Sequence, residues 1–500
     1  MKILVVSEEF SRGGLETQIK TYYDNLPQDT EMVFAFSKYT GAVLMENAKI
    51  YTGFHFCFND TVSDFCDDVQ RLIEIIETEK IDVIHAHPFH SFFAALFASQ
   101  LTNIKLVYTY HGLGSFNFVS TNTTAAVFKY AFEIGAVAKL FSVSNRGVES
   151  FKKIGYNNSC FMPNPIDIQK YKKAEYIKNK KWAIISRLDV DKISEIKLVL
   201  LNLEKYGIEN IDIYGSGGCT KELEDFINEH KLSSKVKYMG YCSDLYGTVH
   251  QKYNGIIGIG RVVLEGLAMG MPVLLIGYSK ISGFVNTAVY NEIKGNNFSN
   301  YGMNIKNAEM PEEDEIKSIQ QDVCANMSSS VIVKQYLDLL SNAESMFSEN
   351  LRKMYYKIKS LAEDEATKNV FFTTSREVYG IARIYIGSYT ADNSTNNLFT
   401  SADFCYSLKD ELFAYFSENI QQIYNSTLEN QQLKKQIANL EFIIEENRIK
   451  QQQTEAEVNR LMNLVNMQLE KIWILQNAED RRANRIYRRA YRKIKKIFNK

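Results

Sequence analysis

The chain has 500 residues, is 45% hydrophobic and 12% aromatic, and so has the length for two or three domains and the apolar content to fill their cores. Its formal net charge of −1 gives no reason to expect a polyanionic partner, but residues 481–500 carry ten Lys or Arg and no Asp or Glu, leaving −11 on the rest. Seven cysteines without a CxxC pair read as free thiols of a reducing compartment, not as a disulfide frame or a zinc site. No apolar run reaches the roughly 18–20 residues that span a bilayer, and the N-terminal KILVVS reads as a first strand rather than a signal peptide. The expected location is cytoplasmic, or peripheral on the cytosolic face of a membrane.

In chain order, KILVVS is followed by the loop EEFSRGG and a helix from about Leu15. IDVIHAH is a strand ending in polar residues, followed by the helical SFFAALFASQL. KLVYTYHG, AKLFSVS, a helix through Phe151 and SCFMPNPID complete a first series. After a charged link around Lys172–Lys181, a second series runs through KWAIISRL, NIDIYGSGG, KVKYMGY, GIIGIG and PVLLIG, with helical patterns between. Strands alternating with helices predict parallel sheets covered on both faces. The expected fold class is α/β, with two Rossmann-like doubly wound domains over 1–172 and 173–345. Ligands of such sheets bind at the carboxyl ends of the strands, and two such domains enclose a natural cleft.

Residues 346–410 are mixed and receive no fold from their sequence. Over 411–480 a heptad pattern places Ile423, Ile437, Ile444, Val458 and Val465 at a, with Leu433, Leu440 and Leu461 at d. That choice predicts a parallel two-stranded coiled coil and a homodimer, the alternative being one long helix packed on its own protein. Over 481–500, Tyr487, Tyr491, Ile494 and Phe498 line one helical stripe in a field of cations. The pattern suits an interfacial helix on an anionic membrane surface; a solvated basic tail is the alternative, and nothing else in the chain supports nucleic acid.

Three segments carry chemistry. In RGGLETQ, Gly13 and Gly14 lie between a strand and a helix start, where backbone N–H groups can approach an anion. In SRLDVDK, Arg187 and Lys192 lie five apart in the loop after a strand and suit a diphosphate, unless Arg187 or Lys192 merely pairs with Asp189 or Asp191. In GIGRVVLEGLAMGMPVLL, Gly258 and Gly260 precede a helix that begins near Arg261, and Glu265 lies one turn inside it. A carboxylate in so apolar a run needs either a fixed internal partner or a ligand, such as the vicinal hydroxyls of a ribose. His85, His87 and His90 have the look of a metal cluster but lack supporting ligands, so strand-end packing or acceptor contact is expected instead and no metal is assigned. Asp189-Val190-Asp191 has the form of a DxD metal motif, but lies inside the Arg187–Lys192 loop. No GxSxG elbow is present.

Taken in order, these pieces resemble the retaining glycosyltransferases of the GT-B fold, and among them the large fourth family, glycosyl transferases group 1. The likeness covers about the first two thirds of the chain: GGLE at Gly13–Glu16, IDVIHAH, HG at His111–Gly112, SVS at Ser142–Ser144, PNPID at Pro163–Asp167, SRL with Lys192, IYGSGG, and GRVVLEGLAMGMPVLL. The resemblance implies that Arg187 and Lys192 stabilise the leaving diphosphate, that Glu265 binds the nucleotide ribose, and that His111 hydrogen-bonds the donor sugar. It places Gly13 and Gly14 beside the diphosphate, and Gly258, Gly260 and Arg261 near the donor. It further implies retention of configuration, a UDP- or GDP-sugar donor, a glycan or lipid-linked acceptor, and no cofactor or metal. Ile257 stands where the family's signature has its first, sugar-contacting glutamate. That departure keeps open a degenerate, non-catalytic scaffold, beside a sugar-nucleotide epimerase of the same fold.

Overall fold

The computed structural model describes residues 1–387, apart from residues 12, 42–44, 113–121, 154, 172, 191, 243, 279, 302, 304 and 306–307. The coiled coil expected over 411–480 and the basic helix expected over 481–500 lie outside the described residues.

Two sheets form. The first contains β1 (Lys2–Phe10), β2 (Glu31–Tyr39), β3 (Lys49–Tyr51), β4 (Val83–Ala86), β5 (Lys105–Tyr110), β6 (Val137–Ser142) and β7 (Ser159–Phe161). The second contains β8 (Lys181–Ile185), β9 (Asn210–Tyr214), β10 (Val236–Gly240), β11 (Gly255–Gly258), β12 (Val273–Gly277) and β13 (Lys280–Phe284). The strand orders are β3-β2-β1-β4-β5-β6-β7 and β10-β9-β8-β11-β12-β13. Every pairing is parallel except β12–β13. In both sheets the strand order reverses beside the first strand, which is where doubly wound sheets open for a ligand. Ile3–Val6 and Val273–Leu275 are fully buried, as expected for strands covered on both faces.

The sequence reading left β2 and β3 unnamed, although EMVFAFSKY carries the apolar, aromatic run of a buried strand. It also did not anticipate the antiparallel β13, which follows β12 through a short turn at Tyr278.

Both domains lie in one compact body, residues 1–118 and 131–372, and the chain crosses between them twice. The crossings run side by side: Ile166 N–H donates to Met327 O at 2.8 Å, and Ser329 N–H donates to Ile166 O at 2.7 Å. After the return, the helix Ser329–Ser341 buries Ile332, Val333, Tyr336 and Leu340 against Ile3, Val5, Phe34 and Val107 of the first sheet. The last part of the span 173–345 therefore completes the first domain's core. From the unassigned 346–410, the helix Glu349–Glu363 packs on the helices Val62–Glu79 and Ser91–Thr102. This covering explains why Ser91–Thr102 has no polar face: Ser91 through Gln100 are all buried. A second unit takes in, among the described residues, 122–130 and 373–387; its helix Arg376–Ile386 is capped by Ser375, whose hydroxyl accepts from Val378 N–H.

Leu340 is wholly buried where the returning helix meets the first sheet. Leu340→Ala should lower the unfolding free energy by about 2–5 kcal/mol, read as a fall in the urea midpoint. A loss below about 1 kcal/mol would mean that the helix contributes little to this core.

Candidate functional site

The carboxyl ends of β8 and β11, neighbours in the second sheet, bring two of the sequence-predicted segments together. Arg187 follows β8, and Gly258 ends β11. The Arg187 loop is held by the end of β9. Ser186 N–H donates to Tyr214 O at 3.1 Å, Leu188 N–H to Ser216 O at 3.0 Å, and Cys219 N–H to Leu188 O at 2.8 Å. Gly215 and Gly217 permit this approach. A Cβ at Gly215 would lie 1.8 Å from Ser186 O, and one at Gly217 would lie 2.4 Å from Leu188 C. The glycines of IYGSGG thus shape the cation loop, a role the motif alone did not reveal.

Arg187 is exposed and its Nη1 donates to Asp189 Oδ2 at 2.6 Å, the surface pairing anticipated as the alternative to a diphosphate. Such an exposed pair is worth about 0.2–1 kcal/mol, so an incoming anion displaces the aspartate at small cost. Lys192 precedes the helix Ile193–Leu200, and its ammonium lies 5.6 Å from the centroid of the Tyr278 ring.

The turn from β11 into the helix Arg261–Ala268 contains only Ile259 and Gly260, with Gly260 at φ 64° and its N–H donating to Phe298 O. Ile257 is an interior residue of β11, fully buried among Trp182, Ile184 and Leu274. Counting eight back from Glu265 therefore lands inside a strand, at a position closed off from solvent.

Glu265 has an internal partner. Arg261 Nε donates to its Oε1 at 2.9 Å, and the two side chains are only 9% and 10% exposed. Burial, together with the charge of the same carboxylate, pushes the pKa of the neighbouring Tyr171 up. The Arg261 guanidinium also reaches Pro165 O at 3.3 Å and Thr21 Oγ1 at 3.2 Å. Thr21 lies on the helix Gly14–Asp24 of the first domain, so Arg261 spans the two domains. Close by, Asn145 N–H donates to Gly295 O at 2.7 Å, Asn164 Nδ2 donates to Asn297 Oδ1 at 2.6 Å, and Arg146 stacks on Tyr301.

On the first domain, Gly13 is extended and Gly14 opens the helix. The buried Glu16 folds back, its Oε1 accepting from Ser11 N–H at 3.3 Å, and a Cβ at Gly13 would lie 2.6 Å from Glu16 Oε2. His111 follows β5, half-buried, with its Nε2 3.0 Å from Nδ1 of the buried His87. His85 lies against His87 with ring centroids 4.2 Å apart and planes tilted by 37°, and bonds Tyr336 OH and Thr109 Oγ1, both at 2.7 Å. His90 departs from the other two and bonds Glu8, through both its N–H and its ring. Among the described residues no three His, Cys, Asp or Glu side chains converge on a metal position. Burial holds all three inner rings neutral, His85 down at about 3 and His111 at about 4, with His87 well below the ordinary histidine range. Among the described residues no helix is long and apolar enough to cross a membrane.

Two outcomes follow from these contacts. Arg261→Met leaves the Glu265 carboxylate buried without its cation and should cost about 3–5 kcal/mol in urea unfolding, while Arg261→Met/Glu265→Gln recovers most of that loss. Equal losses in the single and double variants would show that the guanidinium's bridging bonds, not the ion pair, carry the effect. The buried histidines have folded pKa values below the unfolded value near 6.5, so their contribution is complete above that pH and is lost as pH falls toward 4. Between pH 6.5 and 4, wild-type stability should fall more steeply than that of His85→Phe, by up to about 1.4 kcal/mol per pH unit. Parallel curves would mean that His85 is protonated in the folded protein.

Residues 12–170 match the family model "Glycosyltransferase Family 4". No curated protein sequence matches the chain. Among solved structures, a glycosyltransferase from Rickettsia africae aligns at 18% identity with a TM-score of 0.51, over 68% of this chain and 97% of its own. HepE from Anabaena, solved in complex with UDP and glucose, aligns at 17% identity with a TM-score of 0.51, over 68% of this chain and all of its own. The two-sheet architecture is thus the GT-B fold, and its first domain carries the Glycosyltransferase Family 4 match.

Proposed function

We propose that the protein transfers a sugar from a nucleoside-diphosphate donor to a glycan or lipid-linked acceptor, with retention of anomeric configuration, in the synthesis of a cell-surface polysaccharide or glycoconjugate. The observation that carries this reading is the pair of cations at the carboxyl edge of the second sheet. Arg187 and Lys192 sit in a loop beside the Gly258–Gly260 turn, at the strand where the sheet order reverses. Charge accumulates on a departing diphosphate, and fixed cations that meet it there lower the barrier without reorganising. They take the part a divalent ion plays elsewhere, so the reaction is proposed to need no metal or other cofactor.

In this reading Glu265 accepts the ribose hydroxyls. A carboxylate has about four lone-pair sites, so Arg261 on Oε1 leaves capacity for a diol and fixes the direction in which it is offered. Gly13 and Gly14 approach the phosphates from the first domain, and His111 meets the donor sugar. The basic segment 481–500 holds the enzyme at an anionic membrane surface near its acceptor, and 411–480 pairs two chains. One observation favours a second reading, a non-catalytic scaffold: the short Ile259–Gly260 turn offers no sugar-side carboxylate.

Melting curves of the full chain with UDP, GDP, ADP and CMP test the donor site. A nucleotide at ~100 times its Kd stabilises by roughly 2.7 kcal/mol, and Arg187→Ala/Lys192→Ala should abolish most of that gain. Transfer should fall at least about tenfold in either single variant and should persist in EDTA. No stabilisation by any nucleotide would favour the scaffold.

A further inference from the structure

We propose that Tyr278 is a positioning residue for Lys192: its ring holds the ammonium at the carboxyl edge of the second sheet, where the lysine meets the donor's diphosphate.

The backbone gives the first sign. β12 pairs with β13 through Gly277 and Lys280, so Tyr278 is the first of two turn residues. Its φ is 51°, in the left-handed region. Asn, Asp and Gly suit such a position, whereas a bulky aromatic side chain strains it. The turn alone therefore gives no reason for a tyrosine, and strain of this kind persists only where the surrounding structure enforces it. Here Asn300 does so. It is wholly buried, and its Nδ2 donates to Gly277 O at 3.0 Å and to Ser282 Oγ at 2.9 Å, on the two strands that flank the turn. The same segment is tied to the neighbouring turn, because Gly260 N–H donates to Phe298 O at 2.9 Å. A Cβ at Gly277 would overlap the Ile259 side chain, so the ends of β11 and β12 are in direct contact.

The ring then has a defined place. Tyr301 lies against it, centroids 4.8 Å apart, and the Arg146 guanidinium of the first domain lies 4.7 Å from the Tyr301 centroid. The Lys192 ammonium is 5.6 Å from the Tyr278 centroid, within the range of a cation–π attraction. Lys192 reaches it from the loop after β8, two strands away in the sheet. Its backbone is fixed, its N–H donating to Asp189 O at 2.9 Å, but a lysine stem is flexible and can carry its charge to many places. A ring held in advance narrows that choice before the nucleotide arrives. A ring face attracts the charge without accepting a conventional hydrogen bond, so this contact does not compete with phosphate oxygens for the ammonium's donors. A double-mutant cycle reads this one contact, whatever else either side chain touches.

The inference rests on the reading of Lys192 as a diphosphate cation, and two measurements on the full-length chain keep the two apart. In the first, UDP and GDP are titrated calorimetrically. Tyr278→Gly removes the ring but adopts the turn freely, and should weaken the nucleotide that wild type binds by about three- to tenfold. Tyr278→Phe keeps the ring face and should stay within about twofold of wild type. In a Lys192→Ala background, Tyr278→Gly should add no further loss. Undiminished affinity in Tyr278→Gly, an equal loss in Tyr278→Phe, or a glycine effect that persists without Lys192 overturns the proposal. Tyr278→Asn, also suited to the turn, replaces the glycine variant if that does not fold. In the second measurement the lysines carry ¹³C-methyl groups from reductive methylation, Lys192 being assigned by its loss in Lys192→Ala. Its signal should stand upfield, under the ring current, in wild type and Tyr278→Phe, and return to the position of an exposed lysine in Tyr278→Gly. An unshifted signal in wild type overturns the proposal even where nucleotide binds. If neither nucleotide binds wild type, the diphosphate reading fails and takes the role of Tyr278 with it, whereas the methyl signal still shows whether ring and ammonium meet.

Discussion

A buried carboxylate must be given a counter-charge, and the structure around Glu265 follows from how that requirement is met. The cation lies one turn earlier on the same helix, at the i, i+4 spacing that places two side chains side by side. Arg261 has five donors in a planar fork, and one carboxylate does not use them all. Its remaining donors reach Pro165 O in the segment between the domains and Thr21 on the first domain's second helical turn. A local solution to a desolvation problem thereby becomes a bridge. A lysine would neutralise Glu265 but could not hold three partners in one plane. Two further hydrogen bonds, Asn145 to Gly295 and Asn164 to Asn297, also join the two domains.

The cation loop obeys a different logic. Arg187 is exposed and paired with an aspartate two residues away, whereas its backbone is pinned by β9 through Gly215 and Gly217. A backbone fixed in advance and an exposed ion pair that is cheap to break are what the proposed diphosphate role asks of this loop. Arg261 lies at the opposite extreme: it is buried and bonded through all three of its nitrogens to groups of the protein itself.

Much of this was legible in the sequence because its signals are local. Alternating strands and helices gave the two doubly wound domains, and glycines beside strand ends marked Gly13, Gly258 and Gly260. The internal partner of Glu265 was also in view, since RVVLE sets Arg261 and Glu265 four apart on a helix whose start was recognised. What was not legible depends on distance along the chain. The contact between His87 and His111 joins residues 24 apart, each just past the end of one of two neighbouring parallel strands, and that between His85 and Tyr336 joins residues 251 apart. The return of Ser329–Ser341 to the first sheet has no local signature either. Its apolar stripe states that it is buried, but not against which sheet.

Ile257 brings these strands of argument together. Matching by count suggested a glutamate replaced by isoleucine, as though one substitution had removed one contact. The structure shows instead a strand that runs almost directly into its helix, with Ile259 and Gly260 as the entire turn. The loop on which a sugar-facing carboxylate would stand is absent, so restoring glutamate at 257 would place a charge among Trp182, Ile184 and Leu274 rather than beside a ligand. In the proposed reading, polar contact with the donor sugar falls to the other sheet. At the carboxyl ends of β4 and β5 stands a row of neutral imidazoles, each held by the next. Their lack of charge suits hydroxyl groups, which need a defined donor or acceptor more than they need a field.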